Sequence, residues 1–314
     1  MSQLALYKTG AALPVRCLDN HFFENYLETS DEWIRERTGI ETRYHAREES
    51  LLELSLQAAK AAVAELTQAE VDRIELVIVA SMSSEETMPA IAPLLQAELG
   101  LSHSVLAFDL NAACSGYLYA LEIARHYLTK EGLALILGAE KLSSLLDLSD
   151  RNTAVLFGDA AAANLWGLNT GGQSSFQAYC ESSPDLLFAP KNGPIQMSGR
   201  AVFHFAVTNL RQEIEKNLAK VEMKASDIDL YILHQANLRI LKSTAKQLKL
   251  DFTKFAHNLE HYGNTSAASI PLLIHELNQQ GQLEGKKNLL IAGFGAGLTA
   301  GNLILKGHQK YVAQ

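Results

Sequence analysis

Two kinds of hydrophobic pattern alternate along the chain. Short uncharged runs rich in Val, Ile and Leu predict buried strands at residues 76–80, 133–137, 230–233 and 288–292. Between them, apolar residues recur every three or four positions, which predicts helices at residues 50–66, 90–99, 115–127, 207–218 and 237–248. Strands that alternate with helices indicate an α/β fold in which parallel strands form helix-covered sheets.

Two pairs of predicted strands recur with a nearly constant offset. Leu230 follows Leu76 by 154 positions, and Asn288 follows Leu133 by 155. In both regions the second strand precedes a further apolar run, at residues 153–167 and 298–307. Chance matching of ordinary α/β strands is the alternative, but we interpret the spacing as a duplication. We therefore predict two similar halves, residues 1–165 and 166–314.

The longest uncharged stretch raises the question of a membrane span. Residues 288–305 are eighteen positions without a charge, which is the lower limit for a spanning helix. Four glycines and two asparagines interrupt this stretch, and the cluster of Gly293, Gly295 and Gly297 favours a turn between two buried strands. We expect a strand hairpin here and no membrane insertion.

Composition narrows the function classes only slightly. The 314 residues are 47% hydrophobic and 20% charged, as in a compact globular protein, and the formal charge of −8 argues against a general nucleic-acid binder. Cys17, Cys114 and Cys180 form neither a disulfide framework nor a C-x-x-C metal pair, which fits a reducing compartment. The first residues lack a signal-peptide pattern, so we expect a cytoplasmic protein.

Three residues that could carry chemistry lie near the predicted starts of helices. Cys114 lies where unpaired backbone N–H groups and the helix dipole favour a thiolate, although an inert buried cysteine is equally compatible with its local sequence. His234 directly follows the strand at 230–233, and Asn264 lies in the tight loop HYGNTSAAS. If the halves are duplicates, Cys114 and His234 come from equivalent strand ends and could face each other.

Four segments give these residues a more specific meaning, namely NAACSGYLYAL, ILHQANLRI, YGNTSAAS and GFGAGLTAGN. Together they resemble the signature segments of the β-ketoacyl-acyl-carrier-protein synthase III family, the initiating condensing enzymes of type II fatty acid synthesis. TSDEWIRERTGIETR and LSDRNTAVLFGDAAAA also resemble that family in order and spacing, so the resemblance runs nearly end to end. It implies a thiolase fold, in which two duplicated βαβαβαββ halves form a layered αβαβα architecture.

The resemblance also implies a catalytic set of Cys114, His234 and Asn264, with an oxyanion hole formed by the backbone N–H groups of Cys114 and Ala296. The Cys114 thiolate would attack an acyl-CoA thioester. Malonyl-acyl carrier protein would then lose carbon dioxide, while His234 and Asn264 donate hydrogen bonds to the enolate oxygen. The resulting carbanion would attack the acyl-cysteine. No metal or redox cofactor is expected for this chemistry.

The residues that the resemblance assigns to substrate binding fall into three groups. The tunnel for CoA and pantetheine would contain Trp33, Arg37, Arg151, Phe203, Ala206 and Asn237. The acyl pocket would contain Met88 and Phe157, with the Met88 segment reaching it across the interface of a homodimer. Arg200 and Arg239 are candidates for docking the acidic acyl carrier protein.

Several positions depart from the family pattern. The chain has GDAAAA at residues 158–163 where the family commonly has GDGAGA, and Asn152 and Ala296 where it commonly has glycine. Met88 stands where the family often has phenylalanine. These side chains leave the preferred acyl group open, because each could reshape the cavity.

Three other functions remain compatible with parts of the sequence. The pattern H-x-x-E-H at His257, Glu260 and His261 suggests a zinc hydrolase, although such a pattern should lie within one helix and needs a further ligand. A thiolase-fold acyltransferase that passes the acyl group from Cys114 to oxygen or nitrogen would share the first half-reaction. A non-catalytic binding protein of the same fold is the third alternative, and the complete Cys-His-Asn set argues against it.

Overall fold

A computed structural model describes residues 2–191 and 193–308. The strands are β1 Ser2–Ala12, β2 Cys17–Asp19, β3 Thr42–Tyr44, β4 Ile74–Ala80, β5 Leu106–Leu110, β6 Leu133–Glu140, β7 Ala160–Thr170, β8 Gln173–Cys180, β9 Leu187–Phe188, β10 Gln196–Met197, β11 Leu230–Leu233, β12 Phe255–Ala256, β13 Asn288–Gly295 and β14 Thr299–Lys306. The helices are α1 His21–Glu24, α2 Asp31–Thr38, α3 Leu51–Val63, α4 Gln68–Val71, α5 Ile91–Glu98, α6 Gly116–Tyr127, α7 Arg151–Ala154, α8 Gly199–Lys220, α9 Leu238–Gln247, α10 Leu259–Tyr262 and α11 Ser269–Gln279.

Two five-stranded sheets share one topology. The strand order is β5-β4-β6-β7-β1 in the first sheet and β12-β11-β13-β14-β8 in the second. In each sheet the first three strands of this order are parallel, and the last two pair antiparallel to their neighbours. The main elements of each half follow the order βαβαβαββ, which confirms the predicted duplication of this architecture.

The packing of apolar side chains defines five layers. Helices α3 and α5 cover the outer face of the first sheet, and α8 and α9 cover the outer face of the second. Between the sheets, α6 and α11 contribute Leu118, Leu121, Ile270 and Leu273 to one core that both sheets share. The layer order is therefore αβαβα, as predicted.

Helix α3 shows how local sequence fixes an element within this frame. Ser50 caps its first turn, because the Ser50 hydroxyl accepts from the Glu53 N–H while the Glu53 carboxylate accepts from the Ser50 N–H. Leu51, Leu54 and Ala58 follow with helical spacing and are buried against the first sheet. A reciprocal cap followed by an apolar stripe thus accounts for both the start of the helix and its buried face.

The stretch at 288–305 forms the expected hairpin of β13 and β14. Only Gly297 lies in its turn, however, since Gly293 and Gly295 belong to β13. No helix within the described residues is long and apolar enough to cross a membrane. The predicted boundary between residues 165 and 166 lies inside β7, and residues 171 and 172 connect the two sheets.

Candidate active site

Cys114 lies on a sharp elbow between β5 and α6. The Asn111 side chain accepts a hydrogen bond from the Ala113 N–H at 3.1 Å, and Ala113 has a φ of +47°. A short 3-10 helix over residues 113–115 then leads into α6. The elbow therefore places Cys114 at the N-terminal end of a helix, as expected, and directs it into a cavity.

Burial acts on the Cys114 thiol. The side chain is buried, and burial raises the pKa of the thiol to about 12, although an interaction with the Ser266 hydroxyl lowers it. We expected the helix terminus to favour the thiolate, and the loss of solvation acts against that effect.

His234 follows β11 and is held by a serine of α11. Its Nδ1 lies 2.7 Å from Ser269 Oγ, which also accepts from the Gln235 N–H at 3.3 Å. The serine hydroxyl can donate its own proton to Nδ1, and Nε2 then carries the proton of the neutral ring. Burial lowers the pKa of His234 to about 3. In that tautomer the neutral ring offers its Nε2–H as a hydrogen-bond donor.

Asn264 lies on a second elbow, before α11. Its Oδ1 accepts from the Ser266 N–H at 2.9 Å, and its backbone pairs with Phe157. Because the oxygen is engaged, the amide presents its Nδ2 donor to the cavity that Asn264 lines. The structure thus brings Cys114, His234 and Asn264 to one cavity wall.

Two glycines of β13 permit the close approach of this set. A Cβ atom at position 295 would lie 2.8 Å from the Cys114 nitrogen, and one at position 293 would lie 3.1 Å from His234 Cβ. Ala296 follows directly and lines the cavity, as do Cys114 and Gly295. The two backbone N–H groups that we predicted for the oxyanion hole therefore border the same space.

The mouth of the cavity carries cations stacked on an aromatic ring. The guanidinium groups of Arg151 and Arg37 lie 4.6 and 5.7 Å from the centre of the Trp33 ring. Asn237 caps α9 and donates to the Arg37 carbonyl at 3.0 Å. All four of these predicted residues line the cavity.

Two predicted positions on α8 have different surroundings. Phe203 lines the cavity and lies under the Arg239 guanidinium, 5.3 Å from it. Ala206 does not line the cavity, because it is fully buried behind the wall, beside Ile240 and Phe294. The expected tunnel role of Ala206 is thus replaced by a packing role.

The remaining predicted residues divide between the interior and the surface. Phe157 is buried and lines the cavity beside Asn264. Met88 is 78% exposed in the single chain and does not line this cavity. Arg200 and Arg239 are exposed near the mouth, at the starts of α8 and α9.

Comparisons with known proteins show which family this chain resembles. Family models described as 3-oxoacyl-[acyl-carrier-protein] synthase III and its C-terminal part match residues 108–183 and 218–306. The β-ketoacyl-[acyl-carrier-protein] synthase III of Acholeplasma laidlawii is 42% identical, over 96% of this chain and 98% of the relative. A crystal structure of 3-oxoacyl-[acyl-carrier-protein] synthase III from Aquifex aeolicus superposes with a TM-score of 0.89 at 38% identity, covering 98% of this chain and all of the other.

The chain belongs to the β-ketoacyl-acyl-carrier-protein synthase III family.

The departures from the family pattern now have structural surroundings. Ala160 to Ala163 are fully buried in β7, and Ala160 and Ala162 pack against Ala268 and Leu272 near α11. Asn152 is an exposed residue of the cavity rim whose amide and N–H both donate to Asp150. Of these departures from the family pattern, only Asn152 and Ala296 therefore line the cavity, while Ala160 to Ala163 fill the core.

The side chains of the zinc-hydrolase pattern are not arranged as metal ligands. His257 precedes α10, and its Nδ1 pairs with Glu260 at 2.7 Å within the pattern itself. Within residues 2–191 and 193–308, no three His, Cys, Asp or Glu side chains are placed to hold a metal ion together. The pattern is a hydrogen-bonded histidine–glutamate pair at a helix start in this member of the synthase III family.

Three residues near the candidate catalytic residues were not predicted from the sequence. Ser269 orients His234, while Ser266 and Glu140 lie close to Cys114. Glu140 ends β6, so its charge at the end of an apolar strand was the one available signal. The serines gave no such signal, because their partners lie in distant segments of the chain.

Proposed function

We propose that Cys114, His234 and Asn264 perform a decarboxylative Claisen condensation of a short acyl-CoA primer, such as acetyl-CoA, with malonyl-acyl carrier protein. The product would be a 3-ketoacyl-acyl carrier protein, which starts fatty acid synthesis. The observation that carries this proposal is the convergence of a buried cysteine, a neutral histidine and an asparagine amide on one cavity. Two neutral hydrogen-bond donors suit the negative charge that develops on the enolate oxygen, since neither residue has to change its own charge to donate.

The burial of Cys114 inside the cavity suits a substrate with a long, thin chain. Cys114 is only 7% exposed, whereas Trp33, Arg37 and Arg151 surround the entrance. Guanidinium groups bind phosphates, and an indole ring can stack on a base. We infer that the nucleotide part of CoA stays at this entrance while pantetheine carries the thioester inward. Arg200 and Arg239 are then placed to meet the acidic carrier protein.

A homodimer is part of the proposal. Strand β5 is the outer strand of its sheet, and Leu106 on it is exposed, as is Met88. An edge strand with exposed apolar residues favours pairing with a second copy. We infer that this pairing carries Met88 towards the partner's acyl pocket. Light scattering would test the assembly, and Leu106→Asp is expected to give monomers.

The decisive experiment is incubation of the protein with acetyl-CoA and malonyl-acyl carrier protein. Acetoacetyl-acyl carrier protein, free CoA and carbon dioxide are the expected products. Acetylation of Cys114 without a condensed product would instead indicate the acyltransferase alternative, with an oxygen or nitrogen acceptor. The absence of any acyl-enzyme would contradict both.

A further inference from the structure

Arg43, in the middle of β3, is a fully buried cation. Its two terminal guanidinium nitrogens donate hydrogen bonds to neutral acceptors, Asn20 Oδ1 at 2.8 Å and the Val155 carbonyl at 2.6 Å. Its Nε makes no hydrogen bond to the part of the chain that the structure describes. A guanidinium is charged at neutral pH and costly to bury among neutral partners, so the elements that it connects are informative.

The first of these contacts leads through Asn20 to helix α2. While Asn20 Oδ1 accepts from Arg43, Asn20 Nδ2 donates to Asp31 Oδ1 and to the Ile40 carbonyl, both at 2.8 Å. Asp31 is the first residue of α2, and Ile40 lies two residues beyond its end. Asn20 therefore holds both ends of the helix that carries Trp33.

The second contact leads to helix α7. Val155, whose carbonyl accepts from Arg43, directly follows this helix, which begins with Arg151. The Arg43 guanidinium also lies 4.7 Å from the centre of the Phe23 ring. Helices α2 and α7 share a small core that consists of Phe23, Ile34, Ala154 and Val155. One guanidinium thus joins α2, α7 and the core between them.

Helices α2 and α7 carry the cations of the cavity mouth. Arg37 of α2 and Arg151 of α7 approach the same Trp33 ring, at 5.7 and 4.6 Å from its centre. Two cations near one ring repel each other, so their spacing depends on how firmly the two helices are held. Helix α7 has only four residues, and so short a helix depends on tertiary contacts for its position.

We propose that Arg43 is a positioning residue for acyl-CoA: its guanidinium fixes α2 against α7 and thereby sets the spacing of the groups that meet the nucleotide end of CoA. These groups are Trp33, Arg37 and Arg151, and the proposal rests on the CoA-binding role given to them above. Arg43 itself does not line the cavity, so it acts through them. A planar fork suits this task, because its nitrogens reach both acceptors at once in fixed directions.

A comparison of two thioester substrates would test this proposal. Acetyl-pantetheine presents the same acetyl group as acetyl-CoA but lacks the nucleotide and its phosphates, and rapid-mixing mass spectrometry measures acetylation of Cys114 by each. Arg43→Met keeps an unbranched side chain without the fork. This variant should raise the half-saturating concentration of acetyl-CoA about tenfold, as for the loss of one hydrogen bond to a phosphate. Its acetylation by acetyl-pantetheine should be unchanged.

Two further variants separate the position of the fork from its charge. Arg43→Lys keeps the positive charge, but one ammonium cannot span both acceptors, so this variant should behave like Arg43→Met. Arg35→Gln is the matched control, because Arg35 is an exposed cation of the same helix that pairs with Asp31 from the solvent side. It should change the half-saturating concentration of acetyl-CoA by less than about twofold.

Equal losses with both thioesters would overturn the proposal, because they would indicate a general packing role for Arg43. A wild-type value in either Arg43 variant would overturn it as well. If neither variant folds, as judged by circular dichroism, Asn20→Asp decides by the same criteria, since it still accepts from Arg43 but no longer donates to α2. Failure of the proposed function has a different signature. In that case the wild-type protein would be acetylated by neither thioester, or equally well by both.

Discussion

The two elbows of this molecule are built alike and do different work. In the first, Asn111 accepts from the N–H two residues later, and Ala113 has a φ of +47°. In the second, Asn264 does the same, and Ser266 has a φ of +47°. Each elbow leads through a short 3-10 helix into a central helix, α6 or α11. One backbone device thus presents the proposed nucleophile, Cys114, in one half and the proposed amide donor, Asn264, in the other.

The strand beside each elbow explains the difference. Strands β6 and β13 are equivalent, and their last residues are Glu140 and Gly295. Gly295 leaves the first elbow open to the cavity, whereas the Glu140 carboxylate accepts from the Ala267 N–H and closes the second. Ala267 occupies the place that Cys114 has in the first half. The residue at the strand end therefore differs between the two halves, and the space beside each elbow differs with it.

The largest expected effect comes from removing the nucleophile. Cys114→Ala should reduce acyl transfer by at least about 1,000-fold, because the covalent intermediate cannot form. Adding Ala267→Cys to that variant should restore no activity, since the second elbow is closed by Glu140. Acyl-enzyme detected by mass spectrometry at residue 267 would show that the elbows are more alike than we infer.

The second-largest expected effect distinguishes Asn264 from Asn111, its counterpart in the first elbow. Asn264→Ala should slow decarboxylation of malonyl-acyl carrier protein about 100-fold, because a donor to the enolate oxygen is lost, while acylation of Cys114 is spared. Asn111→Ala, its counterpart, should change decarboxylation by less than about tenfold, since Asn111 is exposed and supports only the turn. Carbon dioxide release and acylation are measured separately. Equal loss of both steps in the Asn264 variant would contradict this division of labour.

The free energy of unfolding should depend on pH because of Glu140, which closes the second elbow. The pKa of Glu140 is raised from 4.5 to about 7 in the folded protein, so the folded state holds this proton over that range while the unfolded chain releases it. Glu140 therefore makes its full contribution to the free energy of unfolding below pH 4.5. This contribution falls by about 3 kcal/mol as pH rises to 7.

Denaturant unfolding of wild type and Glu140→Gln across this range would check the pH effect. The difference isolates Glu140 from His234, whose lowered pKa acts in the opposite direction below pH 6.5. Parallel stability curves for the two proteins would refute the assignment.

The smallest effect compares two equivalent glycines. A Cβ at Gly138 would lie 2.1 Å from the Ala267 carbonyl oxygen, whereas one at Gly293 meets only side chains, at 3.1 Å or more. Gly138→Ala should therefore be less stable than Gly293→Ala by about 2 kcal/mol. Thermal unfolding measures this difference. Similar melting temperatures would mean that the second elbow is less tightly packed than the 2.1 Å approach indicates.

The sequence predicted most of the fold because buried strands and amphipathic helices leave local patterns. Helix α8 begins at Gly199, eight residues before its predicted start, and Val202, Phe205 and Ala206 continue its buried stripe into these first turns. The positions of Cys114, His234 and Asn264 followed from strand ends and family motifs. The raised pKa of Cys114 could not be predicted, because it depends on burial by residues from across the chain.

The shared central layer limits how this protein can be divided. Helices α6 and α11 each pack against both sheets, so each half covers only part of its own inner face. A fragment ending at residue 170 would expose the apolar side chains of α6 to water and should aggregate rather than fold alone. The two halves are therefore structural repeats within one folding unit, and the surface that joins them is an interior of the protein.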